Sequence, residues 1–108
     1  MWSRYAKNAG ADFSLKYHLV WCPKYRWPVL EGAVAVRLKE ISMEVAAGID
    51  ATMHIQEIMP DHVHLFVESD PRWAVAEIVN RLKGKSSRVL RAKFPHLRSR
   101  IPTLWSGK

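Results

Sequence analysis

The sequence has little of the chemistry that stabilises secreted or membrane proteins. It contains one cysteine, Cys22, so no intrachain disulfide can form, and this suits a reducing cytoplasm. No apolar run approaches the roughly 20 residues of a membrane-spanning helix, and residues 1–13 lack the apolar core of a signal peptide. We therefore expect the 108 residues to form one cytoplasmic domain with no membrane partner.

Acidic residues are missing from the last part of the chain. Residues 78–108 contain nine Lys/Arg and no Asp/Glu, whereas residues 1–77 contain eight Lys/Arg and ten Asp/Glu. A block of one charge on a structured segment is typical of proteins that bind a polyanion. The alternative is a solvated helix face that only aids solubility, but mixed charges would serve that purpose equally well. The block therefore favours nucleic acid as the partner.

Hydrophobic periodicity predicts the first strand and the first helix. Residues from Phe13 to Trp21 alternate between apolar and polar, which is typical of a strand. From Glu31 to Gly48 the apolar residues recur at helical spacing, so we predict an amphipathic helix with Gly48 as its C-terminal cap.

A hairpin and a second helix follow. Thr52 to Met59 is predicted as a strand with a bulge near Glu57, and His62 to Glu68 as its antiparallel partner across a tight turn. Asp70-Pro71 resembles a helix N-cap followed by proline at the first helical position, so we predict a helix from there to about Phe94.

The predicted order is strand, helix, strand, strand, helix, which begins a ferredoxin-like β-α-β-β-α-β unit. We therefore expect an α+β sandwich (the α/β class in its broad sense) with two helices on one face of an antiparallel sheet. Right-handed crossovers place the third predicted strand in the middle of the sheet, beside the first. The fourth strand is expected to be missing, which would leave the first predicted strand with an unpaired edge.

Two histidines on one strand form a candidate metal site. His62 and His64 are two residues apart and so share a face of the sheet, where two imidazoles can converge on one divalent cation. The alternative is a pair of solvated surface histidines. His18 is predicted on the same face, and His54 and Gln56 can reach it from the other side. A Mg²⁺ or Mn²⁺ ion needs a third protein ligand, and the candidates are His18, Gln56 and Asp61.

Two basic segments are candidates for contact with DNA. The second predicted helix combines cations that neutralise phosphate with hydroxyls that can bind backbone oxygens. Its predicted DNA-binding residues are Lys83, Lys85, Ser86, Ser87, Arg88 and Arg91. The loop after the first strand adds the cations Lys24 and Arg26, with Tyr25 and Trp27 as rings that can stack on unpaired bases. The loop can equally be a packed edge of the core.

Three blocks of sequence resemble a known family. In order they are YHLVWCPKYR (Tyr17 to Arg26), EIMPDHVHLFV (Glu57 to Val67) and LKGKSSRVLR (Leu82 to Arg91). They look like the IS200-like transposases, which are single-tyrosine enzymes of the HUH class (two histidines around a bulky apolar residue) from small bacterial and archaeal insertion sequences. The resemblance runs from about Phe13 to Trp105.

The resemblance implies a ferredoxin-like homodimer that binds hairpin DNA ends as single strands. His62 and His64 match the HUH histidines, which are catalytic metal ligands and hold Mg²⁺ or Mn²⁺ at the scissile phosphate. A tyrosine then attacks and forms a 5′-phosphotyrosine intermediate, which the family uses to cleave and rejoin DNA.

One part of the family pattern is not matched. In the family, the LWS run leads into a fourth strand and a C-terminal helix that carries the nucleophilic tyrosine and a glutamine ligand. We expect both elements to be missing from this chain, so that the domain 1–108 is C-terminally incomplete. Of its tyrosines, Tyr17 is predicted in the core, Tyr25 in the basic loop and Tyr5 in a mobile tail, and none is assigned as nucleophile.

Three functions therefore remain open from the sequence. The first is a DNA transposase, and whether this chain is itself an active enzyme stays undecided. The second is an inactive, truncated protein that binds hairpin DNA or regulates a full-length copy. The third is a ferredoxin-like RNA-binding domain, which is disfavoured because such sheets display aromatic residues where this one displays histidines. For the first two, we expect a cytoplasmic protein that joins the nucleoid when bound to DNA.

Overall fold

Four antiparallel strands form one sheet, and two long helices share a hydrophobic core with one of its faces. The computed structural model describes residues 2–9 and 12–106, and the side chains of residues 14–99 and 101–106. The elements in chain order are β1 (Trp2–Ala9), β2 (Asp12–Trp21), a 3₁₀ turn (Lys24–Arg26), α1 (Gly32–Gly48), β3 (Thr52–Met59), β4 (His62–Ser69), α2 (Val75–Lys93) and α3 (His96–Arg100).

The strand order β1-β2-β4-β3 confirms the predicted centre of the sheet. β4 lies between β2 and β3, and its register sets Tyr17 opposite Val67 and Leu19 opposite Leu65. These four side chains are at most 1% exposed. Because successive strand residues point to opposite faces, this inward set leaves the alternate residues of β2 and β4 on the open face.

The prediction that the first predicted strand, β2, has an unpaired edge is wrong. β1 pairs with β2 along its whole length, from Trp2 opposite Leu19 to Ala9 opposite Asp12. Tyr5, expected in a mobile tail, therefore lies in a strand. The predicted inward position of Phe13 falls outside the described side chains.

The helix boundaries agree with the prediction at α1 and differ at α2. α1 begins at Gly32, one residue after the predicted start at Glu31. Gly48 is the last residue of the helix and not its cap, and the left-handed residue beyond the end is Asp50 (φ 54°). α2 begins at Val75, later than the predicted Asp70. The Asp70 carboxylate instead accepts the Arg72 N–H at 2.7 Å within a turn, and this bond holds the pKa of Asp70 below its usual value. In the described part of the chain, no helix is long and apolar enough to cross a membrane.

The last described segment packs into the core and ties α2 to the end of β2. Trp105 is 6% exposed, and its indole N–H donates to the buried Ser86 hydroxyl at 2.9 Å. The backbone beside it pairs with the loop after β2, since Lys24 N–H donates to Leu104 O and Ser106 N–H donates to Cys22 O, both at 2.9 Å. The end of the described chain therefore fixes the position of the basic loop.

We expect the change Ser86→Ala to lower the free energy of unfolding by about 1–3 kcal/mol, because the buried Trp105 N–H then has no acceptor. Urea denaturation measures this difference. The matched control is Ser87→Ala, since the half-buried Ser87 is adjacent and outside this contact. Equal stability of the two variants would contradict the structural role of Ser86.

Candidate metal and nucleic-acid site

The alternation of β4 places His62, His64 and Phe66 on the open face, each half-buried. β2 contributes His18, which lies opposite Phe66, and Val20, which lies opposite His64. The predicted shared face of the two histidines and His18 is thus present. These histidines lie on the open face because the valine and leucine residues between them in β2 and β4 are buried against the helices.

Each of the paired histidines has its own carboxylate partner. His62 Nδ1 lies 2.9 Å from Asp61 Oδ1, and His64 Nδ1 lies 3.0 Å from Glu57 Oε1. An ionised carboxylate can only accept, so each Nδ1 carries a proton, and when the ring is neutral its lone pair is on Nε2. Metal-binding histidines usually show this arrangement, in which the second nitrogen donates to a carboxylate. The donor chemistry therefore fits a divalent cation bound through the two Nε2 atoms.

Asp61 also connects the histidine pair to the basic loop. Its second oxygen, Oδ2, accepts from Arg26 Nη2 at 3.0 Å. The hydrogen bond from His62, and then the nearby charge of Arg26, hold the pKa of Asp61 below its usual value. Arg26 is thereby placed beside the candidate metal site, although most of its side chain is exposed.

The third-ligand candidates differ in position. His18 is closest, with Nδ1 3.2 Å from His64 Nε2. Gln56 lies opposite Leu65 on the helix side of the sheet, and its Oε1 is buried without a hydrogen-bond partner, so the expectation that it reaches the open face is wrong. Over the side chains that the structure describes, no group of three or more His, Cys, Asp or Glu could hold a metal.

A bulge explains why the predicted face is wrong for Gln56 and right for His54. The register of β3 shifts between Met53 and Ile55, earlier than the bulge predicted near Glu57. His54 lies in this shift and reaches the open face, where its Nε2 is 2.8 Å from Glu68 Oε1. One extra residue reverses the faces of the residues that follow it.

The predicted DNA-binding residues of α2 fall into separate groups. Ser86 is 1% exposed and donates to the backbone of its own helix, so its position does not support a phosphate contact. Lys83 Nζ and Arg91 Nη1 reach the carbonyls of Ser106 and Ile101, at 3.3 and 3.4 Å. The remaining predicted residues of the helix, Lys85, Ser87 and Arg88, are half-buried or exposed.

A groove between α1 and α2 carries a basic residue that sequence reasoning missed. Arg81 lines it together with Lys85 and Arg88, and the groove has a volume of about 320 Å³. The three cations are spaced i, i+4 and i+7, which places them on one face of α2, and this spacing is a signal the sequence does contain. Glu44 of α1 also lines the groove and bonds Lys85 at 3.0 Å.

The basic loop presents its rings to solvent. Tyr25 is 63% exposed and Trp27 is 37% exposed, which keeps both available for stacking on bases. Tyr25 and Arg26 have left-handed backbone conformations (φ 61° and 53°), which are costly for residues other than glycine. Lys24 is half-buried, with its ammonium 5.5 Å from the centre of the Tyr25 ring.

Comparisons with known proteins agree on one family. Its sequence profile, described as "Transposase IS200 like", matches residues 11–108. The ISDra2 transposase TnpA of Deinococcus radiodurans is 42% identical over 101 residues, which cover 94% of this chain and 70% of that protein. The transposase for insertion sequence element IS200 of Salmonella typhimurium is 30% identical over 90 residues, covering 83% of this chain and 59% of that protein. This chain therefore spans less than two thirds of the Salmonella relative.

A solved structure also resembles this fold. The crystal structure of a candidate transposase from Deinococcus radiodurans superposes with a TM-score of 0.83 at 37% identity. The match covers 94% of this chain and 80% of that chain.

The carboxylate partners predict the tautomer of each histidine. We expect His62 and His64 to be protonated at Nδ1 in the metal-free protein, and the change Glu57→Leu to remove this preference at His64 alone. Long-range ¹H–¹⁵N correlation spectra distinguish the two imidazole nitrogens. His62 is the internal control because Asp61 still holds it, and an unchanged His64 spectrum would contradict the assigned role of Glu57.

Proposed function

This chain belongs to the IS200-like transposase family, and on that premise we propose that it acts on single-stranded hairpin DNA at the ends of a small insertion sequence. In the whole protein, the proposed reaction cleaves and rejoins these ends through a 5′-phosphotyrosine intermediate. The observation that carries the proposal is the pair of carboxylate-bound imidazoles on the open sheet face, beside a basic aromatic loop.

The proposed metal ligands are His62 and His64, each through Nε2. A Mg²⁺ or Mn²⁺ ion held there would supply Lewis-acid polarisation of a phosphate oxygen. Asp61 and Glu57 orient the two rings, and the sheet keeps their backbone spacing fixed. Such ions prefer oxygen ligands, so water and phosphate oxygens would complete the coordination.

Two surfaces are proposed to contact the DNA backbone and bases. The first is the row of Arg81, Lys85 and Arg88 along α2, together with the neighbouring Ser87. Each phosphate neutralised by such residues adds about 0.7 to the log–log salt slope for single strands. The second is the loop, where Arg26 supplies charge and Tyr25 an exposed ring.

A homodimer is part of the proposal. β3 is one of the two outer strands of the sheet, and it has no further strand beside it among the described residues. It also exposes apolar side chains, Ile55 at 40% and Met59 at 49%. An open edge with apolar residues is a surface that proteins usually cover or pair.

The described tyrosines favour a second candidate function, a DNA-binding protein without strand cleavage. Tyr17 is 1% exposed and faces the helices, so it cannot reach a phosphate on the open face. The ring contacts of Tyr25 are with Lys24 and Trp27 of its own loop. On this alternative the chain holds hairpin DNA or regulates a full-length transposase.

Gel electrophoresis separates the two functions. The protein is mixed with a labelled single-stranded hairpin and Mn²⁺, then run on a native gel and on a denaturing gel. Its mass in solution is measured separately and tests the proposed homodimer. A native shift with a covalent adduct supports the transposase, and a Tyr25→Phe variant identifies whether that tyrosine forms the adduct. A shift without an adduct supports the binding protein. The absence of any shift, with the protein folded, would contradict both.

We expect His62→Ala and His64→Ala each to abolish Mn²⁺ binding while leaving hairpin affinity within about twofold, because the cations of α2 remain. Isothermal titration with Mn²⁺ and a native shift measure the two properties. His96→Ala, an exposed histidine on α3, is the control. Equal loss of DNA affinity in both variants without a change in metal binding would refute the ligand assignment.

The groove predicts that a carboxylate restrains DNA binding. Glu44 bonds both Lys85 and Arg37, and these contacts hold its pKa low, so it is ionised and competes with phosphate for Lys85. We expect Glu44→Gln to tighten hairpin binding roughly two- to fivefold. Glu40→Gln is the matched control, because it removes the same charge from a residue that bonds Arg37 but, among the described side chains, not Lys85. Equal tightening in both variants would show an effect of net charge only.

A further inference from the structure

The open sheet face contains a direct contact between two imidazoles. His18 Nδ1 on β2 lies 3.2 Å from His64 Nε2 on β4, and the pair is partly buried. His64 Nε2 is also the atom through which the proposed function has this residue bind a metal. The same lone pair therefore has two possible partners.

The direction of this hydrogen bond follows from Glu57. Because the Glu57 carboxylate accepts from His64 Nδ1, the neutral His64 ring is an acceptor at Nε2, and His18 Nδ1 must donate. The bond lies along the line of the ring centres. The ring centroids are 5.5 Å apart, the two nitrogens are 3.2 Å apart, and the ring planes differ by 20°. The difference between the two distances is about twice the distance from the centre of an imidazole ring to one of its atoms, as expected when both nitrogens lie between the centres. The nitrogens thus point at each other and do not converge on a point beside them.

His18 is held in this orientation from its other side. Its ring lies 4.3 Å from that of Phe66, centroid to centroid, with 14° between the planes. Phe66 is itself flanked by His54 at 5.4 Å. Stacking of this kind restricts the ring to a few orientations, so the N–H of His18 stays aimed at His64.

We propose that His18 is a positioning residue that occupies the metal-binding lone pair of His64 in the metal-free protein and must move away before His64 can bind a cation. The inference rests on the proposed metal site. It makes His18 a competitor of the metal, not the third ligand that its position on the same face first suggested. The bond keeps the His64 ring correctly oriented and its Nε2 satisfied until the cation replaces it.

The test is a Mn²⁺ titration of the full chain at about pH 8, above the usual imidazole pKa. His18→Phe keeps a ring against Phe66 and removes the donor, so we expect Mn²⁺ to bind roughly two- to tenfold more tightly. His54→Phe is the matched control, because His54 also contacts Phe66 but bonds Glu68. His18→Gln retains an N–H donor and should return the affinity towards that of the unchanged protein.

Other outcomes overturn the inference. Weaker Mn²⁺ binding in His18→Phe would make His18 a ligand, and unchanged binding would make the contact irrelevant to the metal. His18→Ala serves in place of His18→Phe if the latter does not fold. Failure of the proposed function is seen separately, as Mn²⁺ binding that survives His64→Ala. In metal-free protein, ¹⁵N spectra should show His18 protonated at Nδ1, and protonation at Nε2 would refute the direction of the bond.

Discussion

The pairing of β4 between β2 and β3 is the constraint on which the rest of the structure depends. Val63, Leu65 and Val67 are at most 1% exposed and pack with both helices, so the strand has one permitted register. A slip of one residue would turn these three outward and bury His62 and His64 in an apolar core. The hydrophobic effect thus fixes where the imidazoles point, although neither of them contributes to the core.

The helix side of the molecule is held by a polar contact within an otherwise apolar stripe. Ile78, Leu82 and Leu90 are buried at four-residue multiples along α2, and Ser86 occupies the remaining position. A serine there leaves room and an acceptor for the indole of Trp105. Since the backbone around Trp105 pairs with the loop after β2, one buried hydroxyl links the basic helix to the basic loop.

Strong periodic patterns made the centre of the fold predictable, and weak or locally misleading ones did not. The alternation of β4 and the stripe of α1 gave their bounds to within a residue. β1 shows no period of two, and its place is set by pairing with β2, which is a tertiary effect. Asp70-Pro71 has the chemistry of a helix start, yet Asp70 serves a turn instead. In the candidate site, the histidine pair followed from spacing, whereas the position of Gln56 depended on a bulge that spacing does not reveal.

The two sides of the molecule carry different charges, and these match the two parts of the proposed function. Around the histidines lie the carboxylates of Glu57, Asp61 and Glu68, and the nearby Arg26 is already paired with Asp61. The carboxylates of this face suit a cation, whereas the row of cations on α2 suits the phosphates of the proposed DNA partner. Two of these carboxylates, Asp61 and Glu57, also bond the imidazoles, so in the proposed function a divalent cation would offset the negative charge of this face where a phosphate has to approach.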